Sequence, residues 1–314
     1  MNSYILPFLA ALTIPIGVAV PAAGAAPQVC VLKIADHLAL DETVQGIRDA
    51  LADRPVKILV DSAQGNSALA LQIGQKFAAK GPALAVAVGT VAAQSLVKYA
   101  ERERDPIPLV YASVTDPKSA GLLGRKNVTG VSNFVPLRPQ LELFRRLLPG
   151  ISSLGIPYNP GEANSVAIVE AIRPICKEMG IGLLLRTATR TAEMPQAAAE
   201  LARRADALFI SNDNTALAAL GAIVSVADGQ GIPVFVSDTD AVRLGALAAL
   251  GPNQREVGRQ AGRQVAAILD GTAADALPAE GVERMELFLN LSTARRLNIT
   301  VEKKLLKSAK EVLP

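Results

Sequence analysis

Polar residues in this chain gather where apolar runs stop. Ser113, Thr115 and Asp116 close the run Leu109–Ala112, and Gly89-Thr90 closes Ala83–Val88. Tyr158, Asn159, Glu162, Asn164 and Ser165 follow the run 153–157, while Ser211-Asn212-Asp213-Asn214-Thr215 follow 207–210. His37 stands after the first run, 29–35, and Asp238 after 233–236. Hydroxyls, amides and carboxylates at the carboxyl ends of apolar strands are what open parallel sheets use to hold small ligands. Several have a plainer reading beside the functional one. Thr90 opens a helix and serves equally as its cap or, with the free amides there, as a carboxylate binder. Asp116 precedes Pro117, the order of an N-cap followed by proline at the first helical position. Glu162 is a partner for an amine or a solvated turn residue, and Asn164 or Ser165 caps the helix behind it. At 211–215 five polar residues stand where one cap would suffice, which favours function for Asp213 and Asn214. His37 lines a cleft or marks a helix entrance.

The elements that must position these groups alternate strictly. Apolar runs at 29–35, 56–60, 83–88 and 109–112 are separated by helical spacing at 39–52, 66–79 and 90–103. Near-continuous apolar strands between helices of about a dozen residues mean a parallel sheet covered on both faces. A short extended segment, Asn127–Asn133, then leaves for another place. The cycle restarts with a helix over 137–147, strand 153–157, helix 164–179, strand 182–187, helix 193–204, strand 207–210, helix 215–229 and strand 233–236. Beyond 238 come a short strand within 245–250, a long helix over 254–270 and a last strand at 285–290. These are too few for a third domain, so they complete the first two. The fold class is therefore α/β, two doubly wound parallel-sheet lobes joined by a multi-crossing hinge. The expected division is 26–132 plus 238–276 for one lobe and 133–237 plus 277–314 for the other. Polar strand ends in two sheets imply one small ligand clamped between them.

At 314 residues the chain suits about two domains of roughly 150 residues each. It is half apolar, 19% charged and only 4% aromatic without Trp, with a formal net charge of +3. Lys303, Lys304, Lys307 and Lys310 form the one basic run and read as a solvated helix face, so no nucleic-acid partner is expected. Two cysteines, Cys30 and Cys176, and a single histidine exclude an ordinary zinc site. The cysteines read as buried apolar thiols, since a disulfide would have to cross between the halves. Residues 1–25 carry no Lys, Arg, Asp or Glu, and the apolar run within them is broken by Pro15 and Gly17. Ala23-Gly24-Ala25 then offers small residues for a signal peptidase, so cleavage is expected before Ala26 and the mature chain is expected in the periplasm. No Gly-x-Gly-x-x-Gly follows the first strand, and neither a Gly-x-x-x-x-Gly-Lys loop nor a nucleophile elbow is present. Neither catalysis nor a cofactor is expected.

An ordered set of motifs carries a family resemblance. Val114-Thr-Asp-Pro117, Ala120-Gly-Leu122, Asn127-Val-Thr-Gly-Val131 and Tyr158-Asn-Pro-Gly-Glu-Ala-Asn-Ser165 are followed by Gly245-Ala246, Gly258-Arg-Gln-Ala-Gly262, Ile268-Leu-Asp-Gly271 and Leu289-Asn-Leu-Ser-Thr-Ala294. Over about 30–310 the chain resembles the solute-binding proteins of ABC transporters, in the family whose studied members bind tryptophan and related amino acids. The resemblance implies a type I periplasmic-binding fold with three crossovers, an ABC permease as partner and a monomeric chain. One departure stands out: Pro252-Asn253-Gln254 occupies a place where family members often carry an aromatic pair. If the ligand is a zwitterion, its carboxylate is expected near Thr90 and Thr115 and its ammonium near Asp238 or Asp213. The ligand-contact set is then His37, Thr90, Ser113, Thr115, Asp116, Tyr158, Asn159, Glu162, Asn164, Asp213, Asn214 and Asp238. The alternative is a ligand-sensing domain that signals through a membrane protein.

Overall fold

Apolar runs of five or six residues in the first half of the chain leave no room for helix periodicity, and each becomes a strand. The computed structural model describes residues 26–314, so the leader and the cleavage point expected before Ala26 lie outside the described residues. The first lobe is built from β1 (Gln28–Lys33), α1 (Leu38–Ala50), β2 (Lys57–Ser62), α2 (Ser67–Lys80), β3 (Leu84–Val88), α3 (Thr90–Ala100), β4 (Leu109–Val114) and β5 (Val128–Ser132). Its five strands are all parallel, in the order β2-β1-β3-β4-β5. β3, β4 and β5 are buried along their whole length, as expected of strands covered on both faces.

The second lobe starts with α4 (Leu137–Leu147), β6 (Ser153–Tyr158), α5 (Ala163–Glu178), β7 (Gly182–Thr187), α6 (Met194–Ala202) and β8 (Ala207–Ile210). α7 (Asn214–Ala218), α8 (Leu220–Gly229), β9 (Val234–Val236) and β10 (Ala248–Gly251) continue it. α9 (Gln254–Leu269) follows, then β11 (Glu286–Asn290), α10 (Leu291–Arg296), α11 (Lys303–Ser308) and β12 (Glu311–Leu313). The second sheet has seven strands, β12-β11-β10-β9-β8-β6-β7, and only the β10–β11 pair is antiparallel. Phe144 and Phe235 stack at its centre with ring centroids 4.1 Å apart. No helix among the described residues is long and apolar enough to cross a membrane.

Three places differ from the reading of the sequence. The helix over 215–229 is two helices, α7 and α8, broken at Ala219. The return to the first lobe does not begin at 238: β10 pairs with β9 and β11 in the second sheet, and the chain goes back only at 252–253, with α9. The second return is also later than 277. Glu280 bridges Val131 at the edge of the first sheet, and the chain leaves for β11 after that. The crossings thus fall at 133–136, 252–253 and just before Glu286.

α9 reaches the first lobe by meeting α1 backbone to backbone. A Cβ on Gly258 would stand 2.1 Å from the Thr43 carbonyl oxygen, and one on Gly46 would stand 2.0 Å from that of Arg255. The Gly258-x-x-x-Gly262 spacing puts both glycines on one helix face, and Gly262 meets Ala50. Asp49 then receives Arg255 and Arg259 across the helix pair at 2.7 and 3.0 Å, and the Arg255 hydrogen bond leads in holding its carboxyl well below the usual range. Val257, Ala261 and Val265 complete the core of the first lobe.

Candidate ligand-binding cleft

Four of the five strand ends of the first lobe, those of β1, β3, β4 and β5, deliver a polar residue toward the second. Between β3 and α3 the turn is made by Gly89 at φ +97, where a Cβ would meet Ile34 Cγ2 at 2.6 Å. That lets α3 begin at once, with its free amides and Thr90 at the head of the helix. β4 ends in a backbone irregularity at Ser113, which holds φ +53, a left-handed conformation rare for a residue with a side chain. Strain of this kind collects where function requires a fixed direction. Its direction is set by two partners: Ser113 Oγ lies 2.9 Å from Thr43 Oγ1 on α1 and donates to Gln254 Oε1 at 2.9 Å. One hydroxyl thereby joins α1, β4 and the start of α9.

The second lobe answers with a buried carboxylate. Glu162 Oε1 accepts from the Thr215 amide and hydroxyl at 3.0 and 2.6 Å, and Oε2 accepts from the Asn214 amide and side chain at 3.1 and 2.6 Å. Asn164 Nδ2 adds a longer contact to Oε2 at 3.3 Å and donates to the Asn212 carbonyl at 2.7 Å. Asp213 caps α7, accepting from the Ala216 amide at 2.8 Å, and also accepts from the Asn159 amide at 2.6 Å. Burial, then the neighbouring Glu162 charge, pushes the Asp213 pKa up. Asn159 itself donates to Thr215 Oγ1. The residues expected at 159–164 and 213–214 thus form one network, with Asn164 and Asn214 facing the other lobe.

Between the walls lies a cavity of ≈ 10 Å³, about one water's worth, lined by His37, Thr90, Ser113, Asn164, Asn214 and Leu217 among others. Direct bonds close it: His37 Nε2 lies 3.2 Å from Asn214 Oδ1, and Asn212 Nδ2 donates to the Asn133 carbonyl. Burial lowers the His37 pKa from its ordinary value, so the imidazole is neutral at pH 7. Larger hollows of ≈ 370 and ≈ 560 Å³ open at the hinge and on the outer edge of the first lobe, but gather no comparable set of strand ends.

Five of the twelve expected residues line the cavity, Asn159, Glu162 and Asp213 stand in the network behind its wall, and the other four stand apart from both. Asp116 accepts from the Lys118 and Ser119 amides and closes a turn at the surface, the capping role its Pro117 suggested. Thr115 donates to Asn133 Oδ1, so it steadies the crossover rather than facing the cavity. Tyr158 ends β6 half-buried against the core of the second lobe. Asp238 is buried beside Asp240 and forms no ion pair among the described residues; burial first, then Asp240 and Glu42, pushes its pKa up to about 8. Thr43, Asn133, Asn212 and Gln254 were not read as site residues. Asn133 ends the segment Asn127–Asn133, Asn212 lies inside the run 211–215, and Gln254 sits in the segment that departs from the family's aromatic pair, so position rather than residue type is the signal that could find them.

The comparisons with known proteins agree with the two-lobed fold. The family model for ABC transporter substrate binding protein matches residues 28–313. A relative from Clostridioides difficile strain R20291, named tyrosine-binding protein, is 27% identical over 278 residues, 85% of this chain and 79% of its own. The crystal structure of an ABC domain from Streptococcus pneumonia in complex with L-Trp is 28% identical, covers 92% of this chain and 100% of its own, and superposes with a TM-score of 0.86. A ligand-free, open substrate binding protein from Clostridium difficile, 25% identical over 92% of this chain and 99% of its own, superposes at 0.66. With similar identity and coverage, the lobes here match the L-Trp complex more closely than the open protein. An α/β fold of two lobes, with polar strand ends meeting between them and a family match over nearly the whole described chain, places this protein among the ABC transporter substrate-binding proteins, which bind solutes and are not enzymes.

Proposed function

We propose that this chain is the exported receptor of an ABC importer, that it works in the periplasm as a monomer, and that its solute is an amino acid or a close analogue. The observation that carries the reading is the opposite polarity of the two cleft walls. The first lobe presents the head of α3 and the Thr90 hydroxyl, groups that suit a carboxylate. The second presents amide oxygens backed by the Glu162 carboxylate, groups that suit an amine. The relatives' ligands, tyrosine and L-Trp, have that pairing of charges. Ligand bridging both walls favours the closed arrangement because it makes contacts there that an open cleft lacks.

The test is calorimetry on chain that has been unfolded, dialysed and refolded, titrated with the twenty amino acids. Micromolar or tighter binding of at least one α-amino acid is the expected result. Binding of none better than millimolar removes the amino-acid assignment. Amino-terminal sequencing of protein from the cell envelope is expected to begin at or near Ala26, and a start at Met1 removes the exported reading.

A further inference from the structure

The second wall of the cleft contains an oxygen that no described residue uses. Asn164 is 2% exposed, it lines the interlobe cavity, and its Oδ1 has no hydrogen-bond partner among the described residues. A buried acceptor left without a donor costs about 1–3 kcal/mol. The orientation of this amide is fixed by its surroundings. Nδ2 is held between two acceptors, the Asn212 carbonyl at 2.7 Å and Glu162 Oε2 at 3.3 Å. Turning the amide over would set Oδ1 against both of those oxygens, so the atom left without a partner is the acceptor, on a residue of the cavity wall.

Glu162 does the same at the neighbouring residue. Its Oε2 takes the Asn214 side-chain amide at 2.6 Å, which leaves Asn214 Oδ1 pointing at His37. The carboxylate is 6% exposed, is satisfied by neutral donors, and forms no ion pair among the described residues. No Lys or Arg lines the cavity. A buried anion thus lies one amide behind the wall, and both amides that contact it turn their oxygens outward. Such a wall attracts a cation that can donate several hydrogen bonds.

We propose that Asn164 Oδ1 is the acceptor for the ammonium group of the solute, with Asn214 Oδ1 beside it, and that Glu162 is the positioning residue that orients both amides and supplies the balancing charge. This rests on the amino-acid reading above and moves the ammonium from Asp238 and Asp213 to a neutral amide. Asp213 is occupied by two backbone amides, and Asp238 is not on the cavity wall.

The experiment pairs an amino acid with its des-amino acid: L-tryptophan with indole-3-propionate, and L-tyrosine with 3-(4-hydroxyphenyl)propionate. Wild-type chain should bind the amino acid at least about 100-fold more tightly, because a des-amino ligand leaves buried acceptors unpaired. Asn164→Leu, of similar volume, should weaken the amino acid roughly 30-fold or more and change the des-amino acid by less than about threefold. Glu162→Gln should show the same selective loss. Equal losses for both members of a pair would make Asn164 a merely structural residue and overturn the proposal. Should the variants fail to fold, the wild-type pair still decides, since a des-amino acid bound as tightly as its amino acid is incompatible with the proposal. Failure of wild type to bind any amino acid removes the functional reading, and this one with it. Retained amino-acid binding without selective loss removes this one alone.

Discussion

Ser113 shows how much of the cleft depends on single atoms. Its hydroxyl meets Thr43 and Gln254, while its backbone sits at φ +53. The two effects can be separated with two substitutions. Ser113→Ala keeps the left-handed backbone and strands the Gln254 carbonyl, whose other contact, Thr43, lies at 3.4 Å. It should lose about 1–2 kcal/mol of stability in urea denaturation. Ser113→Gly loses the same hydroxyl but relieves the left-handed cost, so it should lie above the alanine variant by about 1 kcal/mol. Equal stabilities would show that the backbone there is not strained. The sequence made Ser113 legible as a strand-end hydroxyl. It did not reveal the strain, because a left-handed serine carries no mark in residue type. It did mark Asp116 for a different use from Ser113, because the Pro117 that follows points to a cap. Both end the same strand, and in the local turn the carboxylate accepts two amides while the hydroxyl turns inward.

At the level of elements, the α1–α9 pair is the joint on which the first wall is mounted. α1 carries Thr43, α9 begins with Gln254, and both touch Ser113. Gly258 and Gly46 allow the contact by bringing no side chain to it. Gly258→Ala must push a methyl to within 2.1 Å of a backbone oxygen that cannot step aside. Overpacking of this kind costs about 1–3 kcal/mol or more, and the separation it forces should also weaken solute binding several-fold. Unchanged denaturation midpoint and affinity would show that the helices are free to part. Strands and helices in the first half were readable from periodicity to within a few residues. The end of the chain was not. β10 has a short Ala-rich text that suits either sheet, and pairing with β9 and β11 is settled by neighbours the sequence does not name. The cores of α10 and α11 are likewise too short to show a helical period.

Across the whole molecule, a group of carboxylates links closure to pH. Asp238 and Asp240 come from the second lobe, and Glu42 adds its charge from α1 of the first. Burial, then Asp240 and Glu42, raises Asp238 to about 8. Burial, then Glu42, raises Asp240 to about 6, with Arg243 opposing and Glu311 and Glu286 adding. Both values exceed the 3.8 of an ordinary aspartate, so the folded chain keeps protons that the unfolded chain has released. Stability should therefore fall as pH rises from about 4 to about 8. If a ligand-free, open arrangement parts Glu42 from the two aspartates, solute affinity should weaken over pH 6 to 8 as well. Asp238→Asn should raise the melting temperature at pH 8 and flatten both profiles. A variant with the wild-type slope would assign the pH dependence to other groups. The three crossings between lobes have a separate consequence, for the order in which the chain can fold. The core of the first lobe includes Val257, Ala261 and Val265, more than a hundred residues after its last strand. A fragment ending at residue 136 should give little native circular dichroism and be quickly proteolysed, although it holds all five strands of that sheet. As synthesis proceeds from the amino terminus, neither half can seal its interior until most of the polypeptide has been made, which leaves a long interval in which the chain remains extended enough to be threaded through a narrow pore.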